Sequence, residues 1–151
     1  MLKNRMHSDY ICCLSKNLYQ GSWHATKKEI LQENGINTIL HVGFELTPSE
    51  KSDSCTYQHL ALDDNSQSTD YLFDKLLPPL ISWLAEETIK KNNKVLICCS
   101  AGRSRSVAIC MAYLILQYSI TYDDCLALVQ GKRPIANPNP SFTKRLQLLH
   151  K

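Results

Sequence analysis

The chain lacks any apolar run long enough to cross a bilayer: the longest, residues 107–116, has ten residues, where a membrane span needs about 20. That run reads instead as a buried core helix. Met1-Leu2-Lys3-Asn4-Arg5 leads into no signal-peptide core, Leu2 stands where myristoylation requires glycine, and Leu149-His150-Lys151 is no lipidation box. Neither secretion nor membrane attachment is therefore expected. Glycine and proline are few, five and six residues, and are spread along the chain. With no linker, repeat or low-complexity stretch, residues 1–151 are expected to form a single domain. Neither sign of charge dominates: 17 Lys+Arg against 14 Asp+Glu give +3. That is far below the charge density of a dedicated nucleic-acid binder and fits a modest anionic partner. The seven cysteines are odd in number and form adjacent pairs, Cys12-Cys13 and Cys98-Cys99, with no C-x-x-C. A disulfide framework and a zinc site of standard spacing are both disfavoured, and a reducing compartment, cytoplasm or nucleus, is expected.

What is present alternates in type. Residues 10–14 and 17–21 read as short strands around a turn, and 25–34 as a helix ended by Gly35. Residues 36–42 and 57–62 read as strands, and 95–98 as a strand covered on both faces. Between them, about 69–91 has helical spacing that Pro78-Pro79 should kink or divide. After Cys98 come a glycine-containing turn and the apolar helix, 104–117. Thr121-Tyr122-Asp123-Asp124 resembles a capping box opening a further helix closed by Gly131. A proline-rich loop, 133–140, precedes a last short helix. The sum is an α/β fold with a central, mostly parallel twisted sheet flanked by helices.

The segment that carries chemistry is Val95-Leu96-Ile97-Cys98-Cys99-Ser100-Ala101-Gly102-Arg103-Ser104-Arg105-Ser106. A turn between a buried strand and a helix N-terminus points successive backbone N–H groups into one concavity, and the helix dipole adds positive charge there. A cysteine at the base of such an anion cradle has its thiolate favoured, which makes Cys99 a candidate nucleophile. Arg105, six residues on, can arc back over the loop. Its planar fork fits two oxygens of a phosphoryl group, which a lysine does not reproduce.

This C-x5-R loop resembles the signature of the cysteine-dependent protein tyrosine phosphatases, and Ala101-Gly102 with Ser104-Arg105-Ser106 is most similar to the dual-specificity branch. Asn17-Leu18-Tyr19-Gln20-Gly21-Ser22, the strand beginning Gly35-Ile36, Asp63-Asp64-Asn65 and the Arg133-Pro134-Ile135 loop extend the resemblance across about 10–150. It implies a protein tyrosine phosphatase-like fold and hydrolysis of phosphotyrosine, phosphoserine and phosphothreonine through a phosphocysteine on Cys99. It further implies that Arg105 and the backbone of Ser100, Ala101, Gly102, Arg103 and Ser104 bind the phosphoryl oxygens, and that Ser106 hydrogen-bonds the sulfur. The general acid is assigned to Asp64 by its pairing with Asn65, Asp63 being the fallback. The resemblance also implies a phosphorylated protein as substrate, met in a shallow pocket, with no cofactor or metal needed. Lys3-Asn4-Arg5 is similar to the start of a tyrosine-recognition loop, but Met6 follows where tyrosine is expected.

One position departs from the pattern: Cys98 stands where the family has histidine. Cysteine is a weaker donor without positive charge, which keeps open a phosphate-binding pseudophosphatase with little turnover. Cys98 as a redox partner of Cys99 is a second consequence to weigh against inert core filling. A rhodanese-like or arsenate-reductase-like thiol enzyme shares the loop logic but leaves Asp64 and the 133–140 loop unexplained. The scattered histidines, the remaining cysteines and the basic pair Lys132-Arg133 are expected to be core or solvated surface. Oligomeric state leaves no signal in the sequence.

Overall fold

The computed structural model describes residues 9–43 and 53–149. The Lys3-Asn4-Arg5 similarity, His7 and His150 lie outside them. Five strands form one sheet in the order β1-β2-β5-β3-β4: β1 (Ile11–Ser15), β2 (Leu18–Ser22), β3 (Thr38–Val42), β4 (Thr56–Leu60) and β5 (Val95–Cys99). Only β1 runs antiparallel to its neighbour, through the tight turn at Asn17 (φ 63°); the other three pairings are parallel. β5 is central and buried along its whole length, as its continuous apolar sequence requires.

Side chains alternate across β5, and the two faces take different helices. Val95, Ile97 and Cys99 face a large cluster with α2 (Leu77–Ala85), α3 (Arg105–Tyr118), α4 (Tyr122–Lys132) and α5 (Pro140–Gln147). Leu96 and Cys98 face a smaller cluster with α1 (Lys28–Asn34), built on Ile30, Leu31, Ile36 and Ile39. Gly35 closes α1 in the left-handed conformation at φ 68°. α3 is the expected apolar helix: every residue from Ser106 to Ile115 is buried. At about 1.5–3 kcal/mol for each large aliphatic side chain removed from water, this helix anchors the end of β5 firmly.

The structure refines one sequence expectation and corrects another. Pro78 and Pro79 leave the carbonyls of Asp74 and Lys75 without their α-helical donors. The chain answers by running a π-helical turn, Tyr71–Leu76, into α2, with the Leu77 N–H on Leu72 O, and another π turn, Glu86–Lys90, follows. The prolines thus divide the hydrogen-bond ladder without ending the helix. Gly131 does not close α4, which continues to Lys132 with Arg133 beyond it. The expected opening cap is present: Thr121 Oγ1 accepts the Asp124 N–H at 3.1 Å.

Candidate active site

β5 delivers Cys99 to the floor of a loop, residues 100–104, that climbs to the start of α3. β2 runs parallel beside it in the register Gly21 to Cys98 and Ser22 to Cys99. The loop is pinned from outside by its carbonyls. Trp23 N–H donates to Ser100 O at 3.1 Å and Asn137 N–H to Arg103 O at 2.8 Å. Arg133 gives Nη2 to Ala101 O at 3.1 Å and Nε to Gly102 O at 2.7 Å. In a trans peptide the carbonyl and the following N–H point in opposite directions. Four carbonyls held by these donors therefore leave the N–H groups of Ala101, Gly102, Arg103 and Ser104 on the opposite side of the loop, a run of donors with the form of an anion-binding concavity.

Gly102 makes this path possible. Its φ is +64°, and a Cβ there would lie 2.6 Å from Gly21 C and Ser22 N and 2.8 Å from Arg133 Nη2. Ser104, the residue before α3, makes no side-chain cap to the helix; its hydroxyl instead donates to Asp64 Oδ1 at 2.6 Å and accepts Asn139 N–H at 2.9 Å. The first turn of α3 consequently keeps its N–H groups for the cradle. Among these, Ser106 N–H reaches Cys99 Sγ at 3.5 Å, and Ser106 Oγ stands 3.0 Å from the same sulfur. Cys99 is only 2% exposed.

Arg105 donates Nη1 to Leu62 O at 3.0 Å, which fastens it to the turn carrying Asp63 and Asp64. Asp64 is joined to the rim of the loop, since Oδ1 accepts from Asn139 Nδ2 at 2.9 Å as well as from Ser104. The structure thus brings Cys99 and Ser106 together and ties Asp64 to the loop through Ser104, while the Arg105 guanidinium rests on Leu62 O at the base of the turn that carries Asp64. Beside it lies a cleft of about 570 Å³ lined by Asp64, Arg103, Asn137, Asn139, Thr143 and Lys144, with the exposed cations Arg103 and Lys144 on its walls.

Cys98 takes no part. Its side chain lies on the opposite face of the sheet, buried with Ile30 and Ile39, and burial holds its thiol far above the ordinary range. The sulfur of Cys99 gets its hydrogen bonds from α3 instead. Arg133 reverses the expectation of a solvated basic pair: it is 4% exposed and also donates Nη1 to Asp9 O at 2.8 Å. Its proximity in sequence to Pro134 within the resembling loop was the available signal. Gln20, fully buried on β2, was likewise not singled out; it donates Nε2 to Ser106 Oγ at 2.9 Å and to Gly102 O at 3.1 Å.

The family model described as "Dual specificity phosphatase, catalytic domain" matches residues 18–151. The chain belongs to the dual specificity phosphatase family. Among its relatives, Dual specificity protein phosphatase 1 of Arabidopsis thaliana is 31% identical over 139 residues, covering 91% of this chain and 68% of that protein. Of several longer relatives the chain spans 19% to 34%. The crystal structure of DUSP15 superposes with a TM-score of 0.83 at 25% identity, over 92% of this chain and 86% of that one. A human tyrosine phosphatase-like serine/threonine/tyrosine-interacting protein superposes with a TM-score of 0.82 at 25% identity, over 92% and 94%. The mixed sheet flanked by helices is therefore the fold of protein tyrosine phosphatase-like dual specificity phosphatases, a family of hydrolases. Among the described residues, no helix is long and apolar enough to cross a membrane.

Proposed function

We propose that this member hydrolyses phosphate monoesters on phosphotyrosine and phosphoserine/phosphothreonine of proteins, using Cys99 as nucleophile and neither metal nor cofactor. The observation that carries this reading is the thiol at the floor of a cradle whose carbonyls are all tied outward, with the Ser106 N–H and hydroxyl on its sulfur. The phosphoryl group sits on the N–H groups of 101–104, and Arg105 turns from Leu62 O to grip two of its oxygens. The Cys99 thiolate attacks phosphorus, the bond to the leaving oxygen breaks, and Asp64 gives that oxygen its proton. Asp64, now a carboxylate, then takes a proton from the water that attacks the phosphocysteine. Thiolate and inorganic phosphate leave, and the Ser106 hydroxyl supports the departing sulfur.

Attachment of Oδ1 to Ser104 and Asn139 supports Asp64 over Asp63 as this acid, because it holds the carboxyl against the rim of the cradle. The adjoining cleft supports a protein substrate, whose chain can continue past Arg103 and Lys144. We place the protein in a reducing compartment, cytoplasm or nucleus, consistent with cysteines that are all unpaired, and take 1–151 as one catalytic domain acting on neither nucleic acid nor membrane. The test is hydrolysis of a small aryl phosphate with chelator and thiol present, from about pH 5 to 8 to span thiolate formation, for the parent chain and Cys99→Ser. Turnover that the substitution abolishes is expected. A folded, reduced parent chain without turnover overturns the reading in favour of a phosphate-binding module, the alternative raised by Cys98 in place of histidine.

A further inference from the structure

We infer that Gln20 is a positioning residue: it dictates which way the Ser106 hydroxyl points, and so makes that hydroxyl a donor to the Cys99 sulfur. The inference rests on the reading of Cys99 as the reactive thiol. Gln20 occupies a β2 position facing the main core between Leu18 and Ser22, where an aliphatic side chain would be the stabilising choice. It is fully buried. Its amide orientation is fixed by its neighbours: the terminal atom 3.1 Å from Gly102 O and 3.4 Å from Gly21 O faces two carbonyls, which only accept, so it is the nitrogen. That nitrogen has two protons for three acceptors, and its two shorter contacts, 2.9 Å to Ser106 Oγ and 3.1 Å to Gly102 O, take them.

The consequence for Ser106 follows by elimination. A helical serine ordinarily has two uses for its single proton, an outward partner or the carbonyl four residues back. For Ser106 that carbonyl is Gly102 O, and its two lone pairs are already taken by Gln20 Nε2 and Arg133 Nε at 3.1 and 2.7 Å. With Oγ accepting from Gln20 and the backward route occupied, the proton goes to Cys99 Sγ at 3.0 Å. The sulfur then receives two donors, this O–H and the Ser106 N–H, which is the pattern that stabilises a thiolate. Gln20 thus acts through Ser106 on the side of Cys99 away from Cys98. Its other end is poorly served, since Oε1 has a weak thiol donor, Cys12 Sγ, at 3.9 Å. A buried amide so placed contributes little to stability, which separates a functional role from a structural one.

The experiment follows iodoacetamide alkylation of Cys99 against pH by peptide mass spectrometry, alongside aryl phosphate turnover, for the parent, Gln20→Met, Gln20→Glu, Ser106→Ala and the Ser106→Ala/Gln20→Met pair. Gln20→Met keeps side-chain length without a donor. It is expected to lower the rate of Cys99 alkylation at neutral pH about tenfold, while the melting temperature stays the same or rises. Gln20→Glu, which replaces the donor by an acceptor, is expected to lower that rate at least as far. In the Ser106→Ala background Gln20→Met is expected to add nothing. Unchanged alkylation rates in both single variants, or an equal change with and without Ser106, overturn the inference. Should Gln20→Met fail to fold, that failure overturns it too, because the residue is then structural. Absence of turnover in the parent, with the Gln20-dependent alkylation shift intact, would overturn the phosphatase reading and leave this inference standing.

Discussion

Replacing Arg133 by methionine should damage the cradle far more than it damages the fold. Arg133 is 4% exposed as a residue, and its guanidinium serves three carbonyls: Gly102 O at 2.7 Å, Asp9 O at 2.8 Å and Ala101 O at 3.1 Å. Ala101 and Asp9 are exposed residues, so water can replace two of these bonds, while the buried bond to Gly102 cannot be replaced from solvent. A hydrogen bond to a charged donor is worth about 1.5–3 kcal/mol. For a chain of this size that corresponds to a melting temperature lower by roughly 3–12 °C. The effect on chemistry is larger for two reasons. Loss of the outward pull lets the Ala101-Gly102 and Gly102-Arg103 peptides rotate, and misplacement of about 1 Å at reacting groups costs about 100-fold. The freed lone pair on Gly102 O also offers the Ser106 hydroxyl a partner other than Cys99. We therefore expect kcat/KM for an aryl phosphate to fall about 100-fold in Arg133→Met, with Arg133→Lys intermediate because one ammonium cannot serve all three carbonyls. A variant that melts within this range but retains activity within threefold of the parent would refute the reasoning.

Other consequences can be measured on the same protein. Asp64→Asn keeps the oxygen that Ser104 and Asn139 hold but loses the transferable proton, and should lower kcat on a poor leaving group by about 100-fold or more, whereas Asp63→Asn should stay within threefold; the reverse ranking assigns the acid to Asp63. Stability should fall in alkali. Burial raises the thiols of Cys98 and Cys110 well above their ordinary value and that of Cys12 to about 11, so the folded chain holds protons that the unfolded chain releases from about pH 9. Their contribution is whole below that pH and declines above it, by about 1.4 kcal/mol per pH unit for each fully buried thiol. Urea midpoints at pH 8 and 10 test this: a flat or rising stability contradicts it, and Cys98→Ala should remove one thiol's share of the slope.

The parts of the fold readable from sequence are those where local pattern and tertiary role agree. β5 and α3 are apolar without interruption, Gly102 sits where the chain needs φ +64°, and Gly35 ends α1 with φ +68°, so strand, turn and helix all announce themselves. The C-x5-R spacing pointed to Cys99 and Arg105 on the same logic, and the family resemblance added Ser106. What stayed hidden depends on partners remote in sequence. Arg133 and Gln20 look like ordinary polar residues until the carbonyls of Ala101 and Gly102 are brought to them, 31 residues from Arg133 and 82 from Gln20 in the Gly102 contacts. Pro78-Pro79 announced a division of the helical segment but not its form: local sterics forbid a regular α-helix there, and packing of Leu72, Phe73 and Leu77 in the core holds the segment helical through a π turn. Gly131 has open space around its Cα and simply continues α4.

The most direct test of the account is to look for the phosphoryl group on sulfur. The chain is mixed with excess aryl phosphate, quenched rapidly and digested, and the peptide carrying Cys99 is weighed. The account predicts a burst of aryl product stoichiometric with enzyme and one phosphoryl group on Cys99, both missing in Cys99→Ser. Steady turnover with the phosphoryl group on another residue, or turnover that survives Cys99→Ser, would contradict it.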